Sequence, residues 1–546
     1  MYITVFMKSR GFSAVLKLTL TILVLYLGFL HYSYNRDFGI DDSYITYRYS
    51  FNFADGDGLV FNVGEKHYGS TAAGYAVLLG VISKSITIVN RFFGSANNSN
   101  LDLREVIPAL SRVISTLSLI LSASLLIMIS WNSTGMAVGS IIGAFIAANL
   151  FLAGPANSVV GHETYFFLAL WLLAAYLVFF SGKYFAGSVI LALATTIRPD
   201  TILFTGVLFF IMATTNIKIK GYILAIKDMW RPAILYIILN GIWFSIMWFY
   251  YGQPLPETRI AKQAQVILGH WKIFSPSIIY DLLTNSLTSS MGYMIVIGGF
   301  LFISYLVLLI FFFKSSDPSR KTTAINTSDI NLFVFTCAWV IVGIGLVAAY
   351  TFMKVTYWQW YGVPVWFAVI CLIPGLCRSI NLAIISSVRF QKWAGILSAS
   401  TLVGVFAMND LSAFLWHYKN MKSVRHINTH IGSYDGAVSI LQQVAPAGAS
   451  IAMAEPGYVG FILGPKYKLI DTLGLASPGV SRAIIKGDMD YPFKTWSPDF
   501  VISSWKGKYD PTSRPWFHEV YTLHSEVTHP HWSKALGGSY QIYEKR

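Results

Sequence analysis

Charge is scarce in this chain. Asp, Glu, Lys and Arg make up 12% of its 546 residues, against about 25% in a soluble domain. That supply cannot cover a 60.8 kDa globule in water, which excludes an ordinary water-soluble enzyme, a disordered chain and a coiled coil. Cysteine is scarcer still. Cys337, Cys371 and Cys377 all lie in apolar segments, with no C-x-x-C pair and no metal-ligand spacing. They read as small core residues, and no disulfide framework follows. Acidic residues number 26 against 40 basic ones, a net charge of +14. The basic surplus lies between apolar runs, so it fits loops facing a membrane surface and not nucleic acid. Internal repeats of the kind found in many secondary transporters are also missing.

Apolar residues are what the chain has in quantity: 55% hydrophobic and 16% aromatic, with a mean hydropathy of +0.55. Stretches able to cross roughly 30 Å of hydrocarbon occupy 13–34, 106–130, 135–153, 163–181, 184–197, 199–214, 232–251, 291–313, 330–352, 360–377 and 393–408. The stretches 184–197, 199–214 and 393–408 are short for a span. The first run follows Lys8, Arg10 and Lys17 and has no small-residue cleavage site after it, so it is expected to be a retained span rather than a removed signal peptide. The segment 70–90 is weaker, because it contains Lys84, several hydroxyls and two glycines.

Parity decides that segment. If 70–90 does not cross and the N-terminus is cytoplasmic, the basic loops fall on the cytoplasmic side. These hold Lys183; Lys218, Lys220, Lys227 and Arg231; Lys314, Arg320 and Lys321; and Arg378, Arg389 and Lys392. If it crosses, all of them turn outward, against the positive-inside tendency. The expected fold is therefore mainly α: a polytopic helical bundle of about eleven spans over 1–408, with 70–90 lying along or dipping into the outer face. Residues 35–105, 154–162, 252–290, 353–359 and the tail 409–546 are placed outside. Pro and Gly turns and short β-like runs at Ser450–Met453, Tyr467–Ile470, Phe500–Ile502 and Tyr540–Tyr543 make the tail a small soluble α/β domain.

The outward loops hold the unusual chemistry. Asp41 and Asp42 follow a span exit and precede the aromatic stretch Ser43-Tyr44-Ile45-Thr46-Tyr47-Arg48-Tyr49. Adjacent acids repel, which can leave one poised as a base; the same pair also suits a helix N-terminus with an acidic first turn. Asp55 and Asp57 sit among glycines but lack the further oxygen ligands of a calcium loop, and read as a turn. His67 is a lone loop histidine, open to phosphate or metal binding or to neither. Gly161-His162-Glu163-Thr164 opens a span, and Arg198-Pro199-Asp200 links two spans. Charge this close to hydrocarbon is costly and often functional. Arg198 suits a bidentate grip on phosphate, or snorkelling to headgroups. Tyr250–Lys262 re-enters through two prolines. Tyr357-Trp358-Gln359-Trp360-Tyr361 reads as an interfacial aromatic belt.

These residues, in this order, resemble the polytopic GT-C glycosyltransferases that use polyprenyl-phosphate sugar donors. They resemble most the bacterial branch containing the mycobacterial terminal arabinofuranosyltransferase. The resemblance rests on Asp41-Asp42-Ser43-Tyr44-Ile45, Arg48-Tyr49, Gly56–Glu65 (GDGLVFNVGE), Gly161-x-Glu163-Thr164 and Arg198-Pro199-Asp200. It extends through Tyr251-Gly252, Pro256, Thr258 and Ala261-Lys262 to Ile470–Leu475 and Pro498-Asp499-Phe500 in the tail. The family often has Glu-Gly-x-Thr where this chain has His67-Tyr68-Gly69-Ser70-Thr71, and Pro-Asn-Thr where it has Pro256-Glu257-Thr258; the sugar is left open. The resemblance implies juxtamembrane helices in the first outer loop. It implies Asp41 or Asp42 as the base of a displacement on the periplasmic face of a bacterial inner membrane, inverting if direct. Arg198, His67, Lys262, Glu163, Tyr44 and Arg48 would serve the donor and its phosphate. The partners implied are a polyprenyl-phosphate sugar, a cell-envelope glycan, lipid or protein acceptor, and membrane lipids. Some relatives use a divalent metal (Mg or Mn) near the acidic motif and others do not. A transporter or lipid flippase would instead show paired spans and midplane broken helices, without a large outer domain. A non-catalytic assembly partner would be indifferent to the acidic pair.

Overall fold

A chain this poor in charge has to satisfy its backbone polar groups without water, and helices do that within one segment. The computed structural model describes residues 10–37, 39–93, 101–152, 159–220, 222–269, 273, 327–356, 358–384, 429–503, 510–528 and 539–546. Before the tail these form α1 (Arg10–Tyr34), α2 (Asp41–Asp55), α3 (Ala73–Phe93), α4 (Leu103–Thr134), α5 (Met136–Leu152) and α6 (Thr164–Phe179). They continue with α7 (Tyr184–Ile197), α8 (Thr201–Lys220), α9 (Tyr222–Tyr251), α10 (Thr258–Leu268), α11 (Thr327–Met353) and α12 (Gln359–Ile384).

Among the described residues, six helices are long and apolar enough to cross a membrane: Gly11–Tyr34, Ala73–Phe92, Leu103–Thr134, Ile226–Tyr251, Asp329–Met353 and Trp360–Ser379. Five of them match expected spans. The shorter apolar helices Met136–Leu152, Thr164–Phe179, Tyr184–Ile197 and Thr201–Asn216 match four more. The stretches 291–313 and 393–408 lie outside the described residues. One of the six is α3, which the sequence reading had set apart as weak. Its polar residues are less polar than they read: Ser85 and Thr87 donate to the Val81 and Lys84 carbonyls of their own helix at 2.9 and 2.8 Å. Lipid-type surfaces are plain on α1 and α9, where Leu18, Phe29, Ile223, Ile237 and Phe249 are exposed.

The tail holds α13 (Thr429–Val444), β1 (Ser450–Met453), α14 (Gly457–Leu463), β2 (Lys468–Asp471), α15 (Val480–Ile485), α16 (Tyr491–Trp496), β3 (Phe500–Ser503), α17 (Phe517–Val520), β4 (Tyr521–Val527) and β5 (Tyr540–Lys545). Five strands form one sheet in the order β2-β1-β3-β5-β4. β1 runs parallel to β2 and β3, while β5 is antiparallel to β3 and β4. The four β-like runs of the sequence are β1, β2, β3 and β5.

α2 is the joint between the two parts. Asp41 and Asp42 sit in its first turn, where negative charge suits the helix dipole. It ends on Gly56 at φ 103°, whose N–H returns to the Asn52 and Phe53 carbonyls. Arg48 is wholly buried and donates to the carbonyls of Phe61, Gly460 and Tyr467. Asn62 makes a two-point amide pair with Leu469 on the edge strand β2, at 2.8 and 3.0 Å. One apolar core runs from Val24 of α1 through Trp171 of α6 to Ile451 and Leu469 of the tail.

Candidate active site

Where the ends of the helices meet the tail there is a cleft whose empty space, open solvent included, is about 450 Å³. It is lined by Asp42, Ile45 and Thr46 of α2; by Gly69, Ser70 and Thr71; by His162 and Glu163; and by Arg198, Thr258, Lys262, Trp360, Tyr361 and Leu475. Segments more than 400 residues apart in sequence supply this lining.

Asp42 sits on the first turn of α2 with its carboxylate 3.6 Å from the Lys262 ammonium. Lys262 is buried on α10, one turn after Thr258. Its ammonium lies over the rings of Trp358 and Trp360 at 5.0 and 5.5 Å. These two rings stack at 5.0 Å with an interplanar angle of 7°, and Trp360 stacks in turn on His162. An ammonium over π-faces keeps its charge without being locked in one geometry.

Arg198 follows α7. Its Nη1 meets Glu163 at 3.2 Å and its Nη2 meets Asp200 at 2.6 Å, while Nε donates to the same Asp200 oxygen at 3.1 Å. Tyr350 of α11 donates to that oxygen as well, at 2.9 Å. His162 closes the group, with Nε2 3.3 Å from Glu163 and Nδ1 2.7 Å from the Thr164 hydroxyl. Burial, and then the charge of Arg198, hold the imidazole of His162 down at about 3, so it is neutral at neutral pH.

Of the residues singled out in the sequence, the cleft gathers Asp42, Glu163, Arg198 and Lys262. It does not gather Asp41, Tyr44 or Arg48. The Asp41 carboxylate turns to the tail and accepts the N–H groups of Gly457 and Tyr458 at 3.1 and 2.7 Å. Burial, and then Glu455, push its pKa well above the usual carboxylate range. Tyr44 is buried among Tyr47, Tyr458 and Phe461. Arg48 is the joint described above, and burial lowers its pKa to about 9. The reason is helical periodicity. Residues 41, 44 and 48 share one face of α2, which packs on the tail, while 42, 45 and 46 face the cleft. His67 stands beside the cleft and reaches the tail: its Nε2 donates to the Leu475 carbonyl at 3.1 Å.

The reading of Trp358 and Trp360 as a membrane belt missed their place around Lys262. Leu475 was missed as a lining residue, since a loop backbone carries no chemical signature in sequence. Asp200 and Tyr350 were missed as partners of Arg198.

The side chains do not suit a divalent metal. Among the described residues no three His, Cys, Asp or Glu gather as metal ligands. The carboxylates here are already matched to cations, Asp42 to Lys262 and both Glu163 and Asp200 to Arg198.

No family model matches the chain, and no curated protein does either. Two solved structures of the Archaeoglobus fulgidus oligosaccharyltransferase align with it. The apo form aligns at 10% identity and a TM-score of 0.45, over 91% of this chain and 70% of that one. The complex with Zn and sulfate aligns at 8% identity and a TM-score of 0.49, over 88% and 68%. Scores this low establish neither fold nor activity.

Proposed function

We propose that the protein is a membrane glycosyltransferase. It moves a sugar from a polyprenyl-phosphate donor to a hydroxyl of a cell-envelope glycan, lipid or protein, on the periplasmic face of a bacterial inner membrane. The observation that carries this reading is the Asp42–Lys262 pair, a carboxylate and an ammonium 3.6 Å apart in a cleft at the ends of apolar helices. Transfer from a phosphate-linked donor needs one base and one cation. The acceptor oxygen attacks the sugar C1 while Asp42 takes its proton. The C1–O bond to the phosphate breaks and its electron pair stays on the phosphate. Lys262, buried and held on two indole faces, meets that charge in a poorly hydrated site where it counts most. A single displacement inverts C1. Arg198 has its three nitrogens on Glu163 and Asp200, so its part is to hold those two acids in place. The ordered motif resemblance supports the same class.

The test uses purified protein in lipid, a panel of polyprenyl-phosphate sugars and an envelope acceptor extract, with transfer followed by mass spectrometry. Asp42→Asn is expected to lower turnover by about 10² to 10⁴ while the melting temperature holds. Asp41→Asn, which touches only tail contacts, is expected to keep transfer. Undiminished transfer by Asp42→Asn sinks the assignment of the base.

A further inference from the structure

On the reading just proposed, the tail has a part in the cleft that no resemblance assigns. Leu475, in the loop between β2 and α15, lines the cleft beside Gly69, Ser70 and Thr71. The loop is pinned on both sides of that residue. Leu475 gives its N–H to Asp471 at 2.6 Å, and its carbonyl accepts from His67 Nε2 at 3.1 Å. Asp471, itself buried, also accepts the N–H groups of Leu473 and Ala476, both at 2.8 Å. The facing loop segment fits closely: a Cβ on Gly69 would fall 2.2 Å from the Leu475 carbonyl oxygen. Only glycine lets the outer loop and the tail approach this far.

Leu475, with its carbonyl held by buried His67 and its N–H by buried Asp471, is a rigid part of the cleft wall. Asp42 and Lys262, which serve the acceptor proton and the leaving phosphate, stand elsewhere around the same cleft. The sugar ring has to lie between those two reacting ends, within reach of the wall. We infer that the tail loop at Leu475, held by His67 and Asp471, bounds the sugar pocket and takes part in choosing the size of the sugar transferred. His67 is then a positioning residue for the wall, and burial keeps its pKa below the ordinary histidine value.

The measurement is a competition between a pentose and a hexose, each on the same polyprenyl phosphate, in the full-length protein. Leu475→Ala widens the wall and Leu475→Phe narrows it. A pocket limit of one or two carbons is worth about tenfold or more in selectivity. The hexose-to-pentose ratio is therefore expected to rise about tenfold in Leu475→Ala and to fall in Leu475→Phe. A change of turnover with the ratio unmoved in both variants would mean a purely structural loop and overturn the inference, leaving the enzymatic reading in place. A folded wild type that transfers from no donor overturns the enzymatic reading, and this inference with it.

Discussion

A carboxylate buried with no cation beside it has to find its partners in the backbone, and Asp471 does so. It accepts three N–H groups of the loop it begins, the arrangement of an Asx-type turn. Burial outweighs those bonds and pushes its pKa up to about 6 from 3.8. A folded pKa above the unfolded one favours the protonated native form. The resulting stability is full below about pH 4 and is lost as pH rises through about 6, a change of about 3 kcal/mol. The tail is therefore expected to melt at higher temperature at pH 5 than at pH 7. Asp471→Asn should reduce that difference; a wild-type profile that is flat or reversed contradicts it. At this scale the sequence was legible for chemistry and poor for direction. Glu163 and Arg198 could be picked out because charge beside hydrocarbon is costly, Asp42 because adjacent acids repel, and Lys262 through the family resemblance. Asp41 stood out as the other half of that pair and Arg48 through the resemblance, and only the periodicity of α2 separates them from Asp42.

Among the elements, α3 poses the sharpest question, since length and apolarity admit it as a span while charge parity places it outside. The contacts of its first half lie on the side of the tail. Tyr75 in its first turns hydrogen-bonds Ser111 of α4 at 2.8 Å, and Arg104 at the start of α4 reaches the Ile462 carbonyl of the tail at 3.4 Å. Farther along, a Cβ on Gly80 would fall 2.8 Å from the Ser50 carbonyl of α2, which itself packs on the tail. Both α3 and α4 thus begin beside the tail, and the middle of α3 still leans on the outer loop. With the three native cysteines replaced, a cysteine at exposed Arg91 is expected to react with an impermeant maleimide from the same side as one at Glu526 in β4. One at Lys183 is expected to react from the other side. Labelling of Arg91→Cys from the side opposite to a cysteine at exposed Asp57, before α3, would put α3 across the membrane. Strand β4 shows the opposite kind of difficulty. It is an edge strand with a mostly exposed face and a shift between Leu523 and Ser525, so it lacks the short apolar run by which β1, β2, β3 and β5 could be read.

Across the whole molecule, the membrane part and the tail are one body, and Arg48 is where they are joined. Composition marks the tail as a separate soluble unit, and nothing local in its sequence says what it docks on. That is set by pairings across more than 400 positions: Arg48 to Gly460 and Tyr467, Asn62 to Leu469, Asp41 to the start of α14, and His67 to Leu475. Arg48 bonds four neutral oxygens, the fourth being Asn62 Oδ1 at 3.3 Å, and Phe61 lies under its guanidinium at 4.9 Å. Such a cation is tolerated inside because each of its three nitrogens donates, four of its five N–H groups in all. Arg48→Met keeps much of the volume and leaves buried carbonyls on both sides of the joint without their donor, each costing about 1–3 kcal/mol. The tail should then loosen while the helices persist. Limited proteolysis is expected to release the tail from Arg48→Met far faster than from the native protein, with helical circular dichroism unchanged. Transfer should fall as well, since the wall at Leu475 leaves with the tail. Protection and transfer both at native levels would mean that the apolar core shared by the two parts is enough to hold them together, and that Arg48 is not the joint.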